Sequence, residues 1–164
     1  MSTFPARRGR AVYCRFAMRY LGLDVGDVRI GIALSDESAT IAGGLPTLTR
    51  VGPRKDVKAV AALVREHEAG ELVVGLPRRL DGSVGIQAQK VLDFMDAVRA
   101  AVKVPVVAWD ERFTSALAQQ TLLEGDVSRK GRKGAVDKVA AILILQNYLD
   151  YRKVADAEAR KPEA

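Results

Sequence analysis

Three acidic residues occur in apolar surroundings, where a charged side chain needs a partner. Asp24 lies within the run LGLDV, Glu111 follows the run VPVVAW, and Asp137 begins the segment DKVAAILIL. Each has an ordinary explanation when taken alone. Asp24 would bond to the turn that follows it, Glu111 would form a surface ion pair of little energy, and Asp137 would favour the N-terminus of a helix.

Taken together, the three carboxylates would form one anionic cluster, in which mutual repulsion disfavours full ionisation unless a cation is bound. Ligands that are all oxygen favour Mg²⁺ or Mn²⁺. Two such ions roughly 4 Å apart activate a water molecule and stabilise the leaving oxygen in phosphodiester hydrolysis. The cluster therefore predicts a two-metal nuclease site that requires no histidine.

The periodicity of apolar residues predicts the elements that must position these acids. The predicted strands are 19–25, 29–35, 45–48, 71–75 and 104–109, and the predicted helices are 56–67, 84–102, 115–124 and 134–149. The first two strands form a hairpin, and the later alternation of strand and helix indicates parallel strands with right-handed crossovers. We expect an α/β fold with a mixed five-stranded sheet, its first three strands antiparallel and the rest parallel, and helices on both faces.

This order of elements brings the acids toward one edge of the sheet. Glu111 follows a parallel strand, and ligands of open α/β sheets bind outside the carboxyl ends of such strands. Asp137 shares a helix face with Ala140, Ala141 and Ile144, a face that is expected to be buried. The small alanines would let this helix approach the sheet closely.

Basic residues are predicted to bind phosphate near the acids, because such contacts give affinity without sequence preference. One group lies in the loop GDVSRKGRK just before Asp137, and another follows the strand at 71–75. Solvated surface charge is the alternative for both groups. The residues predicted to contact nucleic acid are Arg78, Arg79, Arg112, Arg129, Lys130, Arg132 and Lys133. Thr114, which also suits a helix cap, and Lys138 are expected to support the carboxylates.

Length and composition predict one domain of 18–151, preceded by an extension, 1–17, and followed by a charged tail, 152–164. The net charge of +6 suggests a polyanionic partner, but residues 1–17 hold four arginines and no acid, which leaves 22 basic and 20 acidic residues in the remainder. The extension is expected to be disordered or to reflect a misplaced start, with Met18 as the true one. A single cysteine and the lack of a long apolar run predict a cytoplasmic protein without a membrane span.

The chain resembles the RuvX family, also called YqgF, of the ribonuclease H-like superfamily. The resemblance covers about Met18 to Tyr151 and rests on GLDVGDVRIGIALSD, VVGLPRRLDGSVG, WDERFTS and DKVAAILIL, in that order. It implies that Asp24, Glu111 and Asp137 are the catalytic, metal-binding acids. It also implies a nuclease for structured nucleic acid, which either matures the 5′ end of pre-16S ribosomal RNA or resolves Holliday junctions in DNA. Cutting both strands of a junction symmetrically would require a homodimer.

Two other classes of protein are compatible with parts of this pattern. A catalytically silent nucleic-acid-binding regulator would keep the fold without the chemistry, although the three acids argue against it. An actin-like or sugar-kinase-like nucleotide-binding protein would share the Asp24-x-Gly26 motif before a hairpin. Such proteins need two large domains, and 164 residues have room for one.

Overall fold

The computed structural model of the protein describes residues 18–113 and 132–160. A short 3₁₀ helix lies at Glu111–Phe113. The strands are β1 (Arg19–Val25), β2 (Arg29–Ser35), β3 (Ala42–Thr49), β4 (Ala69–Leu76) and β5 (Val106–Asp110), and the helices are α1 (Pro53–Glu66), α2 (Ile86–Ala101) and α3 (Arg132–Glu158).

The strands form one sheet in the order β3-β2-β1-β4-β5. β1 is antiparallel to β2 and parallel to β4, β2 is antiparallel to β3, and β4 is parallel to β5. The central position of β1 places it between the antiparallel and parallel halves. The predicted mixed sheet is therefore confirmed, including which strands belong to each half.

One face of the sheet is covered by α1 and α2. Leu21 and Leu23 of β1 point to this face and join Leu72 and Val74 of β4 in a buried cluster with both helices. Because side chains alternate along a strand, the residues between them, Tyr20, Gly22 and Asp24, belong to the opposite face.

That opposite face is covered by α3. Ala141, Ile144, Leu145 and Tyr148, which lie three and four residues apart, form the buried stripe of this helix. The helix approaches β1 closely, since a Cβ atom at Gly22 would lie 2.8 Å from Leu145 Cβ. A larger residue there would push α3 away from the sheet.

Several element ends differ from the predicted ones. The predicted strand 45–48 is the longer β3, because Ser35 still pairs with Ala42. Helix α1 starts at Pro53 instead of Asp56, since proline is tolerated in a first helical turn. The Asp56 carboxylate, only 1% exposed, accepts a hydrogen bond from Val51 N at 2.9 Å, just before the helix. The predicted helix 115–124 lies outside the described residues.

The predicted tail from Arg152 is helical as far as Glu158. Arg152 Nη1 lies 3.6 Å from Glu71 Oε2, and its guanidinium lies over the Tyr20 ring at 5.9 Å from the centroid. These contacts anchor the helix where the sequence favours a frayed end.

Candidate active site at the carboxyl edge of the sheet

Asp24 lies near the carboxyl end of the central strand, on the face that α3 covers. Its partner on β2 is Gly31. On the other side, the last pair between β1 and β4 is Leu23 with Val74, and the next residue of β4 is Gly75. Neither glycine carries a side chain that would fill the surface beside Asp24. The Asp24 side chain is partly exposed.

Glu111 is the second of the predicted acids. The chain turns into the 3₁₀ helix directly after β5, and the Glu111 side chain reaches back over the neighbouring strand. A Cβ atom at Gly75 would lie 2.7 Å from Glu111 Oε1 and would also meet the Ile144 side chain. Gly75 is therefore the place on β4 across which this carboxylate lies.

The environment of Glu111 raises the pKa of its carboxyl to about 7. Burial is the largest cause, followed by the negative charges of Asp24 and Asp110. Without a cation, the negative charge of Asp24 thus opposes the ionisation of Glu111. A divalent cation would relieve both the repulsion and the loss of hydration.

The third predicted acid, Asp137, lies in the first part of α3, four residues before the buried Ala141. Its side chain lies outside the described part of the structure. Among the described side chains, which do not include that of Asp137, no group of three acidic, histidine or cysteine residues is arranged to hold a metal ion. The structure thus brings together two of the three predicted acids, and the role of Asp137 stays a prediction.

Asp110 is a further acid at this edge, for which the sequence also allowed the role of an ordinary turn residue. It is only 12% exposed and accepts hydrogen bonds from Arg112 Nε at 3.0 Å and Nη2 at 2.6 Å. Arg78 Nε lies 3.9 Å from the same carboxylate. The Arg112 hydrogen bond lowers the pKa of Asp110 and so favours its charged form beside Glu111.

The predicted nucleic-acid-binding residues fall into two groups. Arg78, Arg79 and Arg112 are exposed near the same edge as Glu111. Arg129 and Lys130 lie outside the described residues, as does Thr114, and nothing is described of the Arg132 and Lys133 side chains at the start of α3. Lys138 is described: its aliphatic chain crosses β3, where a Cβ atom at Gly44 would lie 2.6 Å from Lys138 Cγ.

Comparison with known proteins shows the family of this chain. The model of the RuvX family, described as "Holliday junction resolvase", matches residues 18–151. The chain belongs to the RuvX family. The match begins and ends at the boundaries that the motifs predicted, and it includes every described strand.

Curated relatives cover most of this chain. A protein of Thermoanaerobacter pseudethanolicus is 48% identical over 137 residues, which are 83% of this chain and 99% of that protein. One of Clostridioides difficile is 43% identical over 82% of this chain and 95% of its own length. Both carry the name "Putative pre-16S rRNA nuclease".

Solved structures share the fold at low sequence identity. RuvC of Thermus thermophilus, in complex with a Holliday junction substrate, has a TM-score of 0.61 and 16% identity over 84% of this chain and 96% of that one. The Holliday junction resolvase of fowlpox virus, in a complex with junction DNA, has a TM-score of 0.53 and 10% identity over 82% and 99%. The predictions of a ribonuclease H-like fold and of a nuclease are therefore confirmed. In the described residues, no helix is long and apolar enough to span a membrane.

Proposed function

We propose that this chain is a divalent-metal-dependent endonuclease that hydrolyses phosphodiester bonds in structured nucleic acid. Asp24, Glu111 and Asp137 are its catalytic, metal-binding acids. The observation that carries the proposal is the Glu111 carboxylate, which crosses the glycine of β4 toward Asp24 in a site that raises its pKa to about 7. An arrangement of this kind costs stability without a cation, and active sites commonly contain such perturbed groups.

The donor set fits Mg²⁺ or Mn²⁺, since hard cations prefer carboxylate oxygens. Glu111 and Asp24 would hold the metal from the sheet, and Asp137 would complete the set from α3. Two ions are proposed, as three acids that share one site offer enough oxygen atoms for both. The bound metal would polarise the phosphodiester and lower the pKa of the attacking water.

The other residues of this edge act by charge and position. Asp110 orients Arg112 through two hydrogen bonds, so the guanidinium stays beside the acids, where it can neutralise a phosphate. Arg78 and Arg79 would bind the backbone next to it. The proposed contacts of Arg129, Lys130, Arg132 and Lys133 would continue this basic surface toward Asp137, and Thr114 and Lys138 would support the acids.

The substrate is proposed from the relatives and the family description. The names of the curated relatives favour the 5′ end of pre-16S ribosomal RNA, and the family description favours a DNA junction. A cytoplasmic enzyme would meet both. The junction role would also require a homodimer with two active sites, because each site cuts one strand.

The decisive experiment replaces Asp137 by Asn, which is nearly isosteric and removes one charge. We expect cleavage in Mg²⁺ or Mn²⁺ to fall more than about a hundredfold, while binding in Ca²⁺ and the melting temperature stay near those of the wild type. Asp150→Asn, an exposed change on the same helix, is the control and should cleave normally. Each protein is assayed on a four-way DNA junction and on a ribosomal RNA precursor under identical metal and salt.

The results separate the alternatives. Undiminished cleavage by Asp137→Asn would remove this residue from the mechanism. If the wild type binds these substrates but cuts none of them in either metal, the chain is a silent binding module and the proposed function is wrong.

A further inference from the structure

The loop between β4 and α2 displays a leucine in an unusual place. Leu80 is 97% exposed, which makes it the most exposed of the large apolar side chains in the described part of the chain. Val84 and Ile86 in the same connection are 47% and 79% exposed. A single exposed apolar residue needs no explanation, but a group of them beside an active site suggests a contact surface.

The leucine is held in place by a tight turn. Gly82 N donates to Arg79 O at 2.8 Å, and Arg79 N donates to Ser83 O at 3.2 Å. Ser83 also donates to Asp81 Oδ1 through its backbone N at 2.9 Å and through its hydroxyl at 2.6 Å. Gly82 has a φ of +84°, which a glycine adopts easily. Leu80 therefore stands at the tip of a preorganised turn.

Three cationic side chains lie around this tip, which also holds the Asp81 carboxylate, and one of them connects it to the active site. Arg78 and Arg79 precede Leu80 and are exposed. The Arg112 guanidinium lies against the turn, 3.2 Å from where a Cβ atom of Gly82 would be, and it also binds Asp110 beside Glu111. One arginine side chain thus bridges the turn and the carboxylate edge.

A surface with an apolar tip and more cationic than anionic groups around it is complementary to one kind of ligand. Nucleic acid has anionic phosphates outside and apolar base faces inside, and base faces become accessible where a duplex is interrupted. We propose that Leu80 is a wedge that packs against an unstacked base next to the scissile phosphate, while Arg78 and Arg79 bind the flanking phosphates. This role rests on the proposed function. In it, the turn recognises nucleic acid at a point where the stacking of bases is interrupted.

The test uses the full chain in Ca²⁺ and two probes, a four-way DNA junction and a ribosomal RNA precursor. Each probe carries 2-aminopurine at positions around its branch point or single-stranded junction. We expect wild-type protein to raise the fluorescence at one position, as the base leaves its stack, and Leu80→Ser to lose this rise. The affinity of Leu80→Ser should stay within about threefold, because phosphate contacts dominate binding. Cleavage in Mg²⁺ should fall about tenfold or more, since the deformed substrate is no longer favoured.

Two variants control for unspecific effects. Leu80→Met keeps the apolar surface and should retain both the fluorescence rise and the cleavage. Ile41→Ser removes an apolar side chain that is 64% exposed at the opposite edge of the sheet, in the β2–β3 connection, and should behave as the wild type. Because Leu80 is almost fully exposed, none of these changes should lower the melting temperature.

A normal fluorescence rise and normal cleavage with Leu80→Ser would overturn the proposal and leave the nuclease function intact. In that case a protein partner would be the better candidate for this turn. Conversely, the fluorescence rise could depend on Leu80 although the protein cuts neither probe. That result would support the role of Leu80 and contradict the proposed nuclease function. The two failures are thus distinguishable.

Discussion

At the scale of single residues, the site depends on a glycine, Gly75, as much as on the acids. The Glu111 carboxylate can extend over β4 toward Asp24 because position 75 carries no Cβ atom. Its burial there has an energetic consequence, since a carboxyl with a raised pKa disfavours the folded state once it must ionise. Two predictions follow from this geometry.

Gly75→Ala should separate activity from folding. The new Cβ would meet Glu111 Oε1 at 2.7 Å and the Ile144 side chain, and both atoms belong to side chains that can move. We expect a stability loss of about 1–3 kcal/mol from overpacking and a loss of cleavage of about a hundredfold from the displaced carboxylate. Gly43→Ala on β3, whose Cβ would have only an ordinary contact at 3.9 Å, is the matched control. Normal turnover by Gly75→Ala would show that the orientation of Glu111 is unimportant.

Glu111→Gln should change the pH dependence of stability in the metal-free protein. The pKa of Glu111 is about 7 in the folded state, against 4.5 for an unperturbed glutamate. Between these values the folded state binds a proton that the unfolded state has released, so stability falls as pH rises from about 4.5 to about 7. The amide cannot ionise, and the variant should melt several degrees above the wild type at pH 8, since ~1 kcal/mol is about 2–4 °C at this size.

The measurement is thermal unfolding with a chelator at pH 4 and pH 8, where the two proteins should agree at pH 4 and differ at pH 8. Glu66→Gln, at an exposed position of α1, should follow the wild type throughout. Added Mg²⁺ or Mn²⁺ should reduce the advantage of Glu111→Gln by stabilising only the wild type. Identical profiles in the chelator would contradict the raised pKa.

At the scale of elements, α3 carries Asp137, the third of the proposed metal-binding acids. Its position is set at the far end from Asp137, where Glu71 is 7% exposed and accepts a hydrogen bond from the Tyr148 hydroxyl. Burial and this hydrogen bond raise the pKa of Tyr148 to about 12, so the hydroxyl remains a donor. Together with Arg152, this pair fixes the helix on β4.

Tyr148→Phe should therefore weaken the fold through Glu71. The change leaves a buried carboxylate without one donor, which costs about 1–3 kcal/mol. Urea unfolding measures the loss, and Tyr151→Phe on the same helix, where the ring is 57% exposed, should change stability little. Equal stability of the Tyr148 and Tyr151 variants would show that the hydrogen bond does not position α3.

At the scale of the whole molecule, charge is distributed unevenly. The chain carries +6, yet the residues after position 17 contain 22 basic and 20 acidic side chains. Because the net charge of the residues after position 17 is small, attraction of a polyanion to the acidic site depends on nearby arginines such as Arg78 and Arg112.

Removal of residues 1–17 should leave specific cleavage intact, since the family match begins at residue 18. Non-specific binding should weaken and depend less on salt, with up to four fewer phosphate contacts from the lost arginines. A loss of cleavage at the same substrate would show that this segment belongs to the active protein.

The local sequence determined most of the architecture. Apolar periodicity and turn residues specified β1 and β2 to the residue, and the alternation of strand and helix specified the parallel half, because these patterns follow directly from backbone geometry. The acids Asp24 and Glu111 were also singled out by their position in or after apolar runs.

Only the tertiary structure decided how these residues meet. The path of Glu111 over Gly75, the anchoring of Arg112 by Asp110, and the contact of Arg152 with Glu71 join residues that are distant in sequence or unremarkable in their local context. Such contacts depend on strand order and on the side of the sheet that each residue faces, and neither is encoded in any short segment. For the same reason, the raised pKa of Glu111 is a property of the assembled sheet edge and of no motif within it.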